Sequence, residues 1–187
     1  MKFYMKLQDW LAGPFSQKMQ KFMQNPYMHA LQVCFTIILP MIMVGSLASL
    51  VNTFRNFAPW LPDLSLINSF SFGLISIFMA FLIPYTIMES KKLQKQKMIT
   101  GFASVSALIA LANPQYVDGN LVINSGYVGT GGMTVAMVMG LVIGWLFSAY
   151  FKHGLFKKDS SLPSVVVVWF ESILIIFVLI LVCIIIG

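Results

Sequence analysis

Eleven of the twelve basic residues of this 187-residue chain fall on one side of an alternating pattern of long apolar runs and short polar loops. Lys2, Lys6, Lys18 and Lys21 precede the first run. Lys91, Lys92, Lys95 and Lys97 separate the second from the third, and Lys152, Lys157 and Lys158 separate the fourth from the fifth. Arg55 alone lies in a loop of the opposite set. Positive charge resists translocation, so cytoplasmic loops collect Lys and Arg. The pattern predicts an all-α polytopic membrane protein of five transmembrane helices, with its N-terminus inside and its C-terminus outside.

Composition excludes a soluble core. Hydrophobic residues make up 58% of the chain and charged residues only 10%, against about a quarter charged in soluble domains. The net charge of +6 is spread over loops that border apolar runs, which suits contact with anionic lipid and not nucleic acid. Cys34 and Cys183 fall inside predicted spans and near opposite faces. They are separated by roughly 20 Å along the membrane normal, too far for a disulfide. No cysteine–histidine cluster suggests a metal, and no cofactor is expected.

Residues 1–25 are predicted as a cytoplasmic amphipathic helix in the headgroup plane, with Phe3, Leu7, Trp10, Leu11, Phe15, Met19 and Phe22 at helical spacing and a break at Gly13-Pro14. Residues 26–187 are expected to form one five-helix membrane domain. Its spans are expected at about Ala30–Val51, Ile67–Met88, Met98–Ala112, Gly132–Phe151 and Pro163–Ile186. The third reaches full length only if the chain is helical from Leu93 onward, with Lys95 and Lys97 snorkelling to the surface. Between the third and fourth, Tyr116–Ile123 reads as a small extracellular β-hairpin, because Asp118-Gly119 suits the positive backbone angles of a two-residue turn.

Few residues offer chemistry, and no catalytic residue is assigned. Glu171 is an ionisable group within a span, and such groups mark pathways, proton sites or buried contacts. No Lys or Arg of the sequence falls at comparable depth, so the carboxyl is expected to be protonated, to bond hydroxyls or to meet a group on another polypeptide. Gly140 and Gly144 stand at GxxxG spacing and, with Gly45, are candidates for close helix packing or a dimer contact. Gly129-Thr130-Gly131-Gly132 lacks the lysine and spacing of a phosphate cradle and reads as a hinge or tight helix start. His29 and His153 lie near the cytoplasmic edge with no carboxylate beside them in sequence, which argues against acid–base roles.

Four segments carry a family resemblance. Phe35-Thr-Ile-Ile-Leu-Pro-Met-Ile-Met-Val-Gly-Ser46 resembles the first transmembrane helix of phosphotransferase-system sugar permeases, the IIC component of the lactose/cellobiose class. Phe81-Leu-Ile-Pro-Tyr-Thr-Ile-Met-Glu-Ser-Lys-Lys-Leu93, on through Lys97, is similar to that family's second helix and basic loop. Tyr127–Met133 and Ser161–Phe170 resemble the starts of its fourth and fifth helices. The resemblance covers the chain but only about half of the family's length. It implies a scaffold and homodimer-interface half, in a bacterial cytoplasmic membrane. The sugar, a disaccharide or β-glucoside, would be held by a second permease half and phosphorylated with the cytoplasmic IIA and IIB components. No sugar-binding residue transfers to this sequence, and the 89–97 loop becomes the expected surface nearest those partners. Two other readings stay open: a free-standing membrane scaffold or regulatory protein derived from the permease, and a small unrelated homo-oligomeric transporter that uses Glu171.

Overall fold

The structure, a computed structural model, describes Gly13, residues 16–153 and residues 164–186. Much of the expected N-terminal interfacial helix, Lys157, Lys158 and the Ser161–Pro163 stretch lie outside the described residues. The described chain is mostly helical, with one two-stranded sheet.

Helix α1 (Ser16–Met23) ends before Asn25-Pro26, and the long α2 (Pro26–Phe54) begins there. The local reason is in the sequence: Pro26 is preset for a first helical turn, and the Asn25 side chain accepts the Tyr27 N–H at 3.0 Å. At 1.5 Å per residue the 29 residues of α2 reach roughly 43 Å, ample for a hydrocarbon core of about 30 Å.

The second apolar run is not one continuous helix. It divides into α3 (Ser65–Ser71), a 3₁₀ turn over Phe72–Leu74, and α4 (Ile75–Ser90). The Ser71 hydroxyl donates to the Ile67 carbonyl at 2.6 Å, competing with the ladder at the break. Gly45 of α2 receives the ring of Phe72 there; a Cβ at Gly45 would lie 2.5 Å from Phe72 Cδ2.

Helix α5 (Lys97–Leu111) starts later than the sequence suggests, and residues 93–96 are not helical. Lys92 takes a left-handed φ of 62°. Its N–H donates to the Glu89 carbonyl and the Leu93 N–H to that of Met88, at 3.0 and 2.9 Å. These two bonds and the packing of Leu93 on the cluster that holds Met88 form a Schellman cap without glycine. Asn113, at φ 49°, closes the other end of α5 just before Pro114.

Strands β1 (Gln115–Val117) and β2 (Asn120–Val122) pair antiparallel, with Tyr116 opposite Leu121. Asp118 and Gly119 turn between them at φ 50° and 79°, both positive as a type I′ turn requires. A single turn α6 (Ser125–Val128) and a 3₁₀ turn over Thr130–Gly132 lead into α7 (Met133–His153). Helix α8 (Ser164–Ile186) ends the described chain.

Side-chain registers fix the directions. Gly129 meets Ser76, Gly140 meets Ile83, Gly144 meets Ile87 and Ser148 meets Lys91, so α4 and α7 run parallel. Glu89 meets Lys97 and Phe81 meets Gly101, so α5 runs antiparallel to α4. Helix α5 thus leads from the Lys-rich end of α4 to the hairpin end where α7 begins. Two apolar cores result: Cys34, Ile38, Met79 and Ile83 with their neighbours, and Met88, Ala107, Ile143, Phe147 and Ile175 with theirs.

Four segments are long and apolar enough to cross a membrane: Pro26–Phe54, Ser65–Ser90, Thr130–Lys152 and Val168–Ile185. The remaining expected span, the third in chain order, is α5, which has 15 residues, roughly 22 Å. The outer surface agrees with a lipid setting. Leu47, Phe177 and Ile184 are 63–66% exposed, a distribution that water would penalise along whole helices.

Candidate functional site

The residues singled out from sequence do not converge on one centre. Gly140 and Gly144 form a notch on α7 that takes the buried Pro84 of α4. A Cβ at Gly140 would lie 3.0 Å from Ile83 Cβ and 3.3 Å from Pro84 Cδ; one at Gly144 would lie 3.3 Å from Pro84 Cα. The face is occupied within the chain, so a dimer contact through these glycines would have to displace α4. Gly45 makes the other close approach, against Phe72, at a different level of the bundle.

Glu171 is buried at 7% exposure near the start of α8. Its backbone carbonyl accepts the Tyr150 hydroxyl of α7 at 3.3 Å, and the neighbouring buried Ser172 donates to the Val168 carbonyl at 2.6 Å. Glu171 is not without a partner. Its surroundings are those of a helix–helix contact.

The most organised polar cluster lies at the Lys-rich end, where the lysines of one loop divide into different roles. Lys91 is half-buried and its ammonium donates to the Tyr27 hydroxyl at 2.6 Å and the Ser148 hydroxyl at 2.7 Å. It also lies 4.6 Å from the centre of the Tyr27 ring. One side chain at the C-cap of α4 therefore ties the start of α2 to the last turns of α7. The Ser148 hydroxyl in turn donates to the Trp145 carbonyl at 2.8 Å. Lys97 pairs with Glu89 at 2.7 Å and sits 4.8 Å from the Tyr85 ring, joining α5 to α4. Lys92, Lys95 and Lys152 remain exposed around this node, as does His29. Sequence reading treated Lys91 like its neighbours. It lies three residues past the apolar run that ends at Met88 and one past the end of α4.

Cavities accompany these features. One, about 480 Å³, is an apolar groove between α2, α4 and α5, lined by Ile38, Met41, Phe78, Phe81 and Phe102 among others. A cavity of about 330 Å³ at the hairpin end is lined by Asn113, Gln115, Asn124 and Tyr127 with apolar neighbours. Another, about 270 Å³, is formed by Tyr27, Leu141, Val142 and Trp145, next to the Lys91 node. Beyond the hairpin end of α2, Arg55 and Asp63 pair at 2.9 Å. The Ser65 backbone N–H, and then the Arg55 guanidinium, hold the Asp63 carboxyl below its ordinary range.

These features define a class: a helical membrane protein whose helices are locked by glycine notches and by a lysine node. Comparison with known protein families, with curated proteins and with solved structures finds no match to this chain.

Proposed function

We propose that the chain crosses a bacterial cytoplasmic membrane five times, N-terminus inside, and serves as the scaffold half of a IIC-like permease of a sugar phosphotransferase system. The observation that carries this reading is the parallel pair α4 and α7, seated on each other through Pro84 and the two glycines. A connection between parallel neighbours has to return across the full depth of both, which is the path of α5 and the argument for a fifth crossing. The three helices then behave as one block, closed at one end by Lys91 and at the other by the bond from Ser76 to the Gly129 carbonyl. A wall of this kind suits the static part of an alternating-access transporter.

The site for the sugar belongs elsewhere in this reading. The groove between α2, α4 and α5 is lined by apolar side chains, whereas sugar hydroxyls need convergent hydrogen-bonding partners. A second permease half supplies them, and cytoplasmic IIA and IIB components approach the exposed lysines of the 91–97 turn. Homodimerisation, which the family resemblance implies, has to use a face other than the Gly140–Gly144 notch.

Uptake of labelled β-glucosides and disaccharides in permease-deficient cells tests the proposal. The expected result is no uptake from this chain alone and uptake when a IIC second half is co-expressed with IIA and IIB. Uptake by this chain alone that is lost in Glu171→Gln would overturn it in favour of a small homo-oligomeric transporter. Assembly without uptake in every combination would favour the scaffold or regulatory alternative.

A further inference from the structure

Helices α2 and α7 both pack on α4 and leave a cleft between them at the Lys-rich end. Its walls are Tyr27 on one side and Leu141, Val142 and Trp145 on the other, forming an open apolar depression of about 270 Å³. Trp145 is 56% exposed, placing an amphipathic ring at the level where a bilayer meets water. Lys91 adjoins it through Tyr27, its ammonium 4.6 Å from the centre of that ring. An ammonium carries three donors; the Lys91 ammonium gives bonds to two neutral hydroxyls, those of Tyr27 and Ser148. The two ion pairs among the described residues, Arg55–Asp63 and Lys97–Glu89, do not involve it.

We infer that this cleft binds an anionic phospholipid, with a phosphate oxygen on Lys91 and an acyl chain along Tyr27, Leu141, Val142 and Trp145. The inference rests on the membrane-crossing part of the proposed function, with the Lys-rich end at an interface. The two halves of the site are linked by shared atoms. Tyr27 contributes its ring to the cleft wall and its hydroxyl to the ammonium. Ser148, which holds Lys91 from α7, bonds back to the carbonyl of Trp145. A neutral zwitterionic lipid would set its own cation near Lys91, whereas a phosphatidylglycerol phosphate meets a positive charge with a donor to spare. Charge complementarity thus selects the headgroup and the apolar cleft selects a lipid over a free anion. By the same geometry the occupant bridges α2 to α7, whose direct contact is slight.

Native mass spectrometry of the full chain in mild detergent tests this with phosphatidylglycerol, phosphatidylcholine and inorganic phosphate as probes. The expected result is phosphatidylglycerol retention over phosphatidylcholine, weakened roughly tenfold or more in Lys91→Gln, since a hydrogen bond to a charged group is at stake. Lys92→Gln is expected to retain the lipid as the unaltered chain does. Val142→Trp, which fills the cleft without touching the ammonium, is expected to cut retention too and keeps the test valid should Lys91→Gln fail to fold. Equal retention of both lipids, equal losses in the two lysine variants, or displacement of the lipid by inorganic phosphate would overturn the inference. So would a lipid-independent dimer abolished by Val142→Trp, which would give the cleft to a second copy. A chain that extracts from membranes with carbonate refutes the membrane reading itself; membrane retention without lipid selection refutes only the site.

Discussion

The notch on α7 is the contact whose perturbation is most informative. A methyl at Gly140 would stand 3.0 Å from Ile83 Cβ, 3.2 Å from Ile83 Cγ2 and 3.3 Å from Pro84 Cδ. Two of these atoms cannot swing aside, because the Ile83 Cβ is a branch point on the helix and the Pro84 Cδ belongs to a closed ring; the Ile83 Cγ2 methyl moves only by a χ1 change that β-branching disfavours in a helix. Overpacking of this kind costs about 1–3 kcal/mol, while alanine gains about 1 kcal/mol over glycine in a helix. Gly140→Ala is therefore expected to lose about 0–2 kcal/mol. Gly140→Leu cannot be seated without separating α4 from α7 and is expected to lose about 3 kcal/mol, roughly a hundredfold in the unfolding constant. Gly73 is the matched control, because a Cβ there would find only Ser69 Cβ, at 3.9 Å; Gly73→Ala should be neutral or stabilising by up to about 1 kcal/mol. Titration with a denaturing detergent from mild micelles, followed by far-ultraviolet circular dichroism, measures all three. An unchanged midpoint for Gly140→Leu would refute the packing argument. A folded monomer produced from a wild-type dimer would instead move the notch to an intermolecular interface.

Three further outcomes follow from single sites. Lys92 holds a left-handed φ of 62°, which costs an L-residue about 1–2 kcal/mol; Lys92→Gly should raise the thermal midpoint by the equivalent of about 1 kcal/mol and Lys92→Val should lower it. Ser76 is fully buried and donates to the Gly129 carbonyl; Ser76→Ala should cost about 0.5–2 kcal/mol and speed amide exchange at residues 129–132, and unchanged exchange would count against that bond. The Asp63 carboxyl is held below its ordinary range by the Ser65 N–H and Arg55, so its contribution is complete above the unfolded carboxylate pKa of about 3.9 and fades as pH falls through the lower folded value. Amide exchange at Ser65 should therefore accelerate only in acid, and Asp63→Asn should remove that step.

What the sequence exposes in this protein is whatever depends on neighbours in the chain. Apolar runs bounded by Asn25-Pro26 and Asn113-Pro114 announce helix ends because capping is local, and Asp118-Gly119 announces its turn for the same reason. Gly45, Gly140 and Gly144 are recognisable as places of close approach, since a missing side chain invites a neighbour. The identity of the neighbour is another matter. Pro84 lies more than fifty residues before Gly140, and nothing around it says that its ring is the knob for that hole. The break at Phe72–Leu74 is hidden for a related reason: it answers to Gly45 on another helix as much as to Ser71. Lys92 disguises the start of α5 because lysine is an unusual residue for a left-handed cap, although Met88 and Leu93, apolar on either side of it, are the hydrophobic pair that such a cap uses. Lys91 is the deepest case. A lysine three positions beyond an apolar run, after Glu89-Ser90, reads as part of a solvated basic loop, which is what Lys92 is. The parallel seating of α7 on α4 brings Ser148 under the Lys91 ammonium, and the antiparallel α2 brings Tyr27. A charge that the topology rule counts as one of eleven thereby becomes the bolt between three helices. Its chemistry comes from the tertiary fold, and so does the contrast with Lys92 that makes it testable.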